Sequence, residues 1–279
     1  MKIDLHTHTH FSHGQNSPAE MFESALEKGV SVLGFSEHSP RPEKFSYGAK
    51  YDYQEKLKEK FTDYLREVSL LKNKDPQTKV LLGIEQDFFP GFENWIADFF
   101  SQYQFDYSIG SVHFLGQWGY DVSLDQEKWA EFSQAEIFSK YREYFSIIEK
   151  MVDSRLFNIA AHLDLVKIFS IKEWKKWIQE KEAKEIVAHI LEKIKENHMA
   201  LEISSAGLRK PCQETYPGPE IFGLASEIGV DITLASDAHR AEEVTDSFSQ
   251  LIKLAKKFNY QNQVYFDKGK VFREPISYS

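Results

Sequence analysis

The sequence predicts an α/β fold, a parallel barrel of strand-plus-helix units with a polar site at one rim. Three observations carry that prediction. Seven strand-like apolar runs alternate with helical patterns, as expected for parallel strands joined by helical crossovers. The 279 residues suit one barrel, because such folds run to about 250 residues as a single unit. Each strand-like run also ends on histidine, carboxylate or a polar, basic stretch, and the C-terminal ends of barrel strands are where sites are built. An open doubly wound sheet is the alternative arrangement of the same units.

The elements follow in order. Lys2–His6 reads as the first strand. Ser17-Pro18-Ala19-Glu20 then starts a helix, with Ser at the N-cap, Pro at N1 and Glu at N3. Gly29 should end it. Val30–Phe35 is the second strand, and a Lys-, Glu- and Leu-rich helix covers Tyr53–Asn73. Lys79–Ile84 is a strand and Trp95–Tyr103 a short helix. Asp106–Val112 alternates as a strand does, and Ser133–Val152 is a long helix. Asn158–Ala161 is a short strand before the amphipathic helix Lys172–Asn197. Ala200–Ile203 is a strand, Pro219–Ile228 a helix, Val230–Ala235 a strand and Ala241–Phe258 the last helix. No low-complexity segment, short repeat or Pro/Gly/Ser-rich linker interrupts the pattern, so residues 1–279 read as a single domain. The stretch Phe45–Tyr53, with its Tyr, Gly and Ser, reads as a lid loop.

Composition narrows the function. The formal net charge is −9, which repels phosphate backbones at long range and disfavours a nucleic-acid partner. A small phosphorylated substrate is compatible with it, because a few local cations or metals override the global field. Cys212 is the single cysteine, so no intrachain disulfide forms and a reducing compartment fits. The start Met1-Lys2-Ile3-Asp4 lacks the apolar run of a signal peptide. Nothing approaches the ~18 apolar residues of a membrane span. A soluble, cytoplasmic protein without a membrane partner is expected.

The polar residues at the strand ends set the chemistry. They are His6, His8 and His13; Glu37 and His38; Glu85; His113; His162 and Asp164; Ser204 to Lys210; and Asp237 and His239. His6 and His8 lie two apart on a strand and so share a face, and Asp237 with His239 repeats that spacing. Imidazole and carboxylate without thiolate suit Zn²⁺, Mn²⁺ or iron. One ion takes about four to six ligands. Seven strand-end histidines with Glu85 and Asp237 therefore imply two or three divalent metal ions. His10, His189 and His198 read as packed or solvated histidines, and Cys212 as a loop residue.

Asp4-Leu5-His6-Thr7-His8, Ser36-Glu37-His38, Gly83-Ile84-Glu85, Ser111-Val112-His113-Phe114-Leu115, His162-Leu163-Asp164 and Ser236-Asp237-Ala238-His239 together resemble the PHP (polymerase and histidinol phosphatase) superfamily. The resemblance runs from Asp4 to about Arg240. Ser111 to Leu115 and Ser205-Ala206-Gly207-Leu208-Arg209-Lys210 look most like its stand-alone histidinol-phosphate phosphatases. It implies a distorted (β/α)₇ barrel with a trinuclear metal centre. Carried over, His6, His8, Glu85 and Asp237 bind the first metal. Glu85 bridges to a second, completed by His113 and His162, and His13, His38 and His239 hold the third.

The implied activity is hydrolysis of L-histidinol phosphate in histidine biosynthesis. The expected step is direct attack of a metal-bridging hydroxide on phosphorus, without a phosphoenzyme. Another sugar, nucleotide or phosphotyrosine phosphatase is the runner-up. Arg209, Lys210 and Lys167 are the expected phosphate cations. Asp164 is expected either to orient a ligand histidine or to act as general acid, and Glu37 to support His38 or the ligands beside it. The oligomeric state is not legible.

Overall fold

The computed structural model describes residues 1–48 and 53–276. Its elements in chain order are β1 (Ile3–Asp4), α1 (Pro18–Glu27), β2 (Val32–Phe35), α2 (Gln54–Leu71), β3 (Lys79–Asp87), α3 (Glu93–Ser101), β4 (Tyr107–Ser111), β5 (Phe114–Leu115), β6 (Trp118–Gly119), α4 (Asp125–Glu131), α5 (Gln134–Asp153), β7 (Ile159–Ala160), α6 (Ile171–Trp177), α7 (Lys181–Glu196), β8 (Ala200–Ser204), α8 (Pro219–Ile228), β9 (Ile232–Ala235), α9 (Phe248–Lys257), β10 (Asn262–Asp267) and β11 (Lys270–Pro275).

Seven strands form one parallel sheet in the order β1-β2-β3-β4-β7-β8-β9. A parallel bridge between Thr7 and Ala238 joins its two edges. There the His8 amide donates to the Ala238 carbonyl at 2.8 Å and the Ala238 amide to the His6 carbonyl at 3.2 Å. The sheet is thus nearly closed into a distorted barrel, and the open-sheet alternative is set aside.

Local sequence explains the frame. Ser17 and Glu20 form the expected capping box, the Ser17 amide donating to Glu20 Oε2 at 2.7 Å. Ser133 and Glu136 repeat it on α5. Strands β2, β4, β7, β8 and β9 are buried at every residue, because helices cover the outer face while side chains fill the inner one. Tyr107 crosses the interior, its hydroxyl donating to the Leu5 carbonyl at 2.5 Å. A Cβ at Gly34 would fall 2.0 Å from the Tyr107 hydroxyl, and one at Gly83 2.2 Å from its ring. These glycines make room for the tyrosine that floors the polar end.

Four features differ from the sequence reading. The helix expected over Lys172–Asn197 is two, α6 and α7. The break near Gln179 carries neither Gly nor Pro, and it lets Trp174 and Trp177 bury beside Tyr141 and Phe145. The helix expected over Ala241–Phe258 is a short 3₁₀ turn followed by α9, separated at Ser247 by a left-handed backbone, φ 57°. The β5–β6 hairpin and α4 fill the connection after β4. The β10–β11 hairpin caps the barrel at its strand-start end. Its Val264, Tyr265 and Phe266 share a buried cluster with Ile3, Val32, Tyr107 and Ala200. Of the expected lid loop, residues 49–52 lie outside the described residues. Phe45 and Tyr47 pack on Phe114.

Candidate metal centre

The strand ends bring the expected residues together around Glu85, at the end of β3. Its Oε2 lies 3.3 Å from His6 Nε2, 3.4 Å from His8 Nε2 and 3.0 Å from His38 Nδ1. Its Oε1 lies 3.1 Å from His162 Nε2 and 3.7 Å from His113 Nε2. One carboxylate therefore faces two sets of imidazoles, one with each oxygen. Asp237, after β9, brings Oδ1 within 3.3 Å of His8 Nε2, 3.7 Å of His6 Nε2 and 3.6 Å of His239 Nδ1. Its backbone is left-handed, φ 49°, which turns the chain sharply out of the strand.

Three groups have ligand atoms mutually within 4.8 Å: His6, His8 and Asp237; Glu85, His113 and His162; and His8, His38 and His239. His13 stands exposed at the rim, its ring centroid 4.3 Å from that of His239 and 4.9 Å from that of His38. The donor set fits divalent cations on physical grounds. His6 Nε2, His8 Nε2, His239 Nε2 and Glu85 Oε2 are buried without a hydrogen-bond partner. Buried polar atoms are seldom left so, and neutral imidazole nitrogens with carboxylate oxygens are the donors that such ions take.

The electrostatics agree. Burial raises the Glu85 carboxyl, but the facing His38, His6 and His113 hold it well below the usual carboxylate range. Asp237 is held low in the same way by His6 and His8. Burial disfavours charge on His8 and His113, yet their carboxylate neighbours push them up to about 9 and about 10.

Carboxylates also stand behind the ligands, and two of them escaped the sequence reading. Glu202 on β8 sits 2.6 Å from His6 Nδ1 and accepts from the His162 amide at 3.2 Å. Asp87 sits 2.6 Å from His113 Nδ1. Each fixes which ring nitrogen faces the centre. Both had a signal: Glu202 is an acid inside an apolar strand, and Asp87 lies two residues beyond Glu85 on the same strand face. Glu37 stands beside the ligands as expected, facing His8 Nδ1 at 3.5 Å and accepting from the His38 amide at 3.3 Å. It also accepts from the Thr9 amide at 2.9 Å and from Ser12 Oγ, bracing the loop after β1.

The basic and acidic expectations divide. Lys210 lines the cavity over the centre. Arg209 does not; its Nη2 donates to the carbonyls of Ser236 at 2.7 Å and Asp237 at 3.2 Å, and Glu243 and Asp246 neutralise it. It clamps the backbone that presents Asp237 rather than a phosphate. Lys167 is fully buried between Asp164 (2.7 Å), Glu214 (2.9 Å) and the Thr215 carbonyl (2.9 Å), which leaves it no approach to phosphate. Asp164 bonds Lys167 and the Gly218 amide; among the described residues, no ligand imidazole lies within hydrogen-bond reach of it. The two hold the 214–218 loop. His10 stacks on Phe11, and His189 pairs with Glu149 on the surface.

The cavity encloses about 300 Å³, and the ligand candidates His13, His38, Glu85, His113, His162, Asp237 and His239 line it. Tyr47, Tyr53, Asp121, Val122, Leu165, Ile168, Lys210 and Tyr216 form its walls.

Among known proteins, a family model described as the PHP domain matches residues 4–206. A Deinococcus radiodurans protein named "Probable histidinol-phosphatase" is 34% identical over 253 residues, 90% of this chain and 91% of that one. The crystal structure of hisK from Listeria monocytogenes superposes with a TM-score of 0.79 at 26% identity, covering 89% of this chain and 99% of that one. The histidinol phosphate phosphatase of Lactococcus lactis, solved with zinc, L-histidinol and phosphate, gives a TM-score of 0.75 at 23% identity over 97% and 98% of the two chains. With its motif residues gathered at one barrel rim and the family model spanning most of its length, the chain belongs to the PHP domain family.

Proposed function

We propose that the chain is a metal-dependent phosphomonoesterase that hydrolyses L-histidinol phosphate to L-histidinol and phosphate. In this reading His6, His8, Glu85 and Asp237 hold one divalent ion, zinc, manganese or iron. Glu85 reaches a second with His113 and His162, and His38, His239 and the rim residue His13 hold a third. The observation that supports it most is Glu85, whose two oxygens face separate histidine sets, the disposition a bridging carboxylate needs. The relative named as a histidinol-phosphatase, alike over 90% of this chain, supports the substrate.

When bound, divalent ions supply Lewis acidity, which activates water as a nucleophile at neutral pH and neutralises phosphate oxygens. The chain's own part is positioning and charge. Glu202 and Asp87 fix the His6 and His113 rings with Nε2 toward the centre. Arg209 holds the Asp237 turn. Lys210 attracts the phosphate dianion from the cavity rim and stabilises its charge as the ester bond breaks. The buried strand ends exclude bulk water beneath the centre, so these charges act in a low dielectric.

Among the described residues no helix is long and apolar enough to cross a membrane. The acidic net charge and single cysteine support a cytoplasmic enzyme taking a small phosphorylated substrate rather than nucleic acid. The test is a substrate panel with Mn²⁺, Zn²⁺ or Fe²⁺, covering histidinol phosphate, a phosphotyrosine peptide, sugar phosphates and single-stranded DNA. We expect histidinol phosphate to lead in kcat/KM. A value no higher than that for a generic aryl phosphate would defeat the substrate assignment.

A further inference from the structure

Away from the metal ligands the cavity wall is mostly apolar and aromatic, through Val122, Leu165, Ile168 and Tyr216. Among the described residues, Asp121 is the one lining carboxylate outside the three ligand groups. It follows the β5–β6 hairpin and is half-buried. The Tyr47 hydroxyl donates to its Oδ1 at 3.0 Å. The Tyr47 ring is itself fixed, 4.8 Å from Phe114 and 4.7 Å below the Arg41 guanidinium. No lysine or arginine among the described residues lies within ion-pair distance of Asp121. With Tyr47 on Oδ1, its Oδ2 is left to offer to a ligand. Lys210 lines the same cavity. Among the described residues, the cavity beyond the metal ligands therefore carries one cation and one anion, a pattern that suits a phosphomonoester bearing an ammonium group and not a simple dianion.

We infer that Asp121 is a specificity residue that receives the substrate's ammonium group, with Tyr47 fixing its carboxylate. This rests on the histidinol-phosphatase reading above, since that substrate carries a primary amine. A charge-assisted hydrogen bond of this kind contributes about 1.5–3 kcal/mol, which corresponds to about a 10- to 100-fold effect. The physical benefit is selection. Phosphate binding at the metals is shared by every phosphomonoester, whereas Asp121 rewards only those with a cation at the right reach and leaves a desolvated carboxylate unpaired against the rest.

The experiment compares histidinol phosphate with its deamino analogue, in which hydrogen replaces the amine. Wild-type enzyme should favour histidinol phosphate in kcat/KM by at least about tenfold. In Asp121→Asn that preference ratio should fall about 10- to 100-fold, chiefly through KM. Tyr47→Phe should lower the same ratio by a smaller factor. Metal content and the thermal midpoint, measured alongside, identify a misfolded variant, and the Tyr47→Phe ratio then decides. An unchanged ratio in folded Asp121→Asn, or equal losses on both substrates, overturns the role of Asp121. A wild type that cleaves both esters equally overturns it too while leaving the phosphatase chemistry standing. A wild type that cleaves neither defeats the underlying reading first.

Discussion

The two sides of the metal centre are built differently. On the inner side, His6, His8 and His113 each have a carboxylate behind the ring, from Glu202, Glu37 and Asp87. On the rim, among the described residues, His239 Nδ1 meets only the Asp237 carbonyl at 3.1 Å and its carboxylate at 3.6 Å, and His13 is exposed. Inner imidazoles are thus fixed in orientation before any ion arrives, whereas on the rim His13 stacks on His38 and His239 on His8. The contrast teaches that ligand identity and ligand preorganisation are separate properties, and that the first does not reveal the second.

Five experiments break or sharpen that contrast. The largest effect should come from Glu85→Gln, the point shared by both inner sets, with kcat/KM lowered at least about 1,000-fold and inner-ion content lost by plasma mass spectrometry. Glu202→Gln and Asp87→Asn leave every direct ligand in place, yet should weaken metal affinity or activity about 10- to 100-fold; values equal to wild type would mean that the inner rings need no support. His239→Ala and His38→Ala should each remove one ion per chain while the inner ions stay, and full metal content with full activity would refute the three-ion assignment.

Lys210→Ala should raise KM about tenfold, whereas Arg209→Ala should chiefly lower Tm. At about 1 kcal/mol per lost hydrogen bond and about 2–4 °C per kcal/mol, a drop of several degrees is expected. The smallest effect concerns pH in metal-stripped protein. His8 and His113 are raised to about 9 and about 10, so their contribution to stability is complete below pH ~6.5 and fades as pH rises through those values. The depressed carboxyls of Glu85 and Asp237 contribute above pH ~4.5 and ~4 and fade as pH falls below that. The apo-protein should therefore melt highest between these limits, with the alkaline loss abolished by bound metal.

Much of this was legible in the chain because it depends on local pattern. Strand period, helix caps and the placement of His or Asp just beyond a strand survive without tertiary information. The roles of Arg209 and Lys167 were not legible. Both sit in a polar loop or strand end, and only the fold decides whether a cation meets a ligand or a neighbouring carboxylate. The same holds for Glu202, whose partner is 196 residues away. The β10–β11 hairpin was missed although Lys268-Gly269 supplies two left-handed turn residues, φ 52° and 71°, which suits a tight antiparallel turn.

Glu202 bears on the order of events during synthesis. It links the first strand to the seventh and eighth, and Asp4 accepts from Ser236 and Thr245 across the seam. A ribosome-bound chain that has exposed only its N-terminal motif holds histidines but no preformed cage. High-affinity ion capture therefore belongs to the finished barrel. An N-terminal fragment, however rich in imidazole, lacks Glu202 and Asp237 and so lacks that cage.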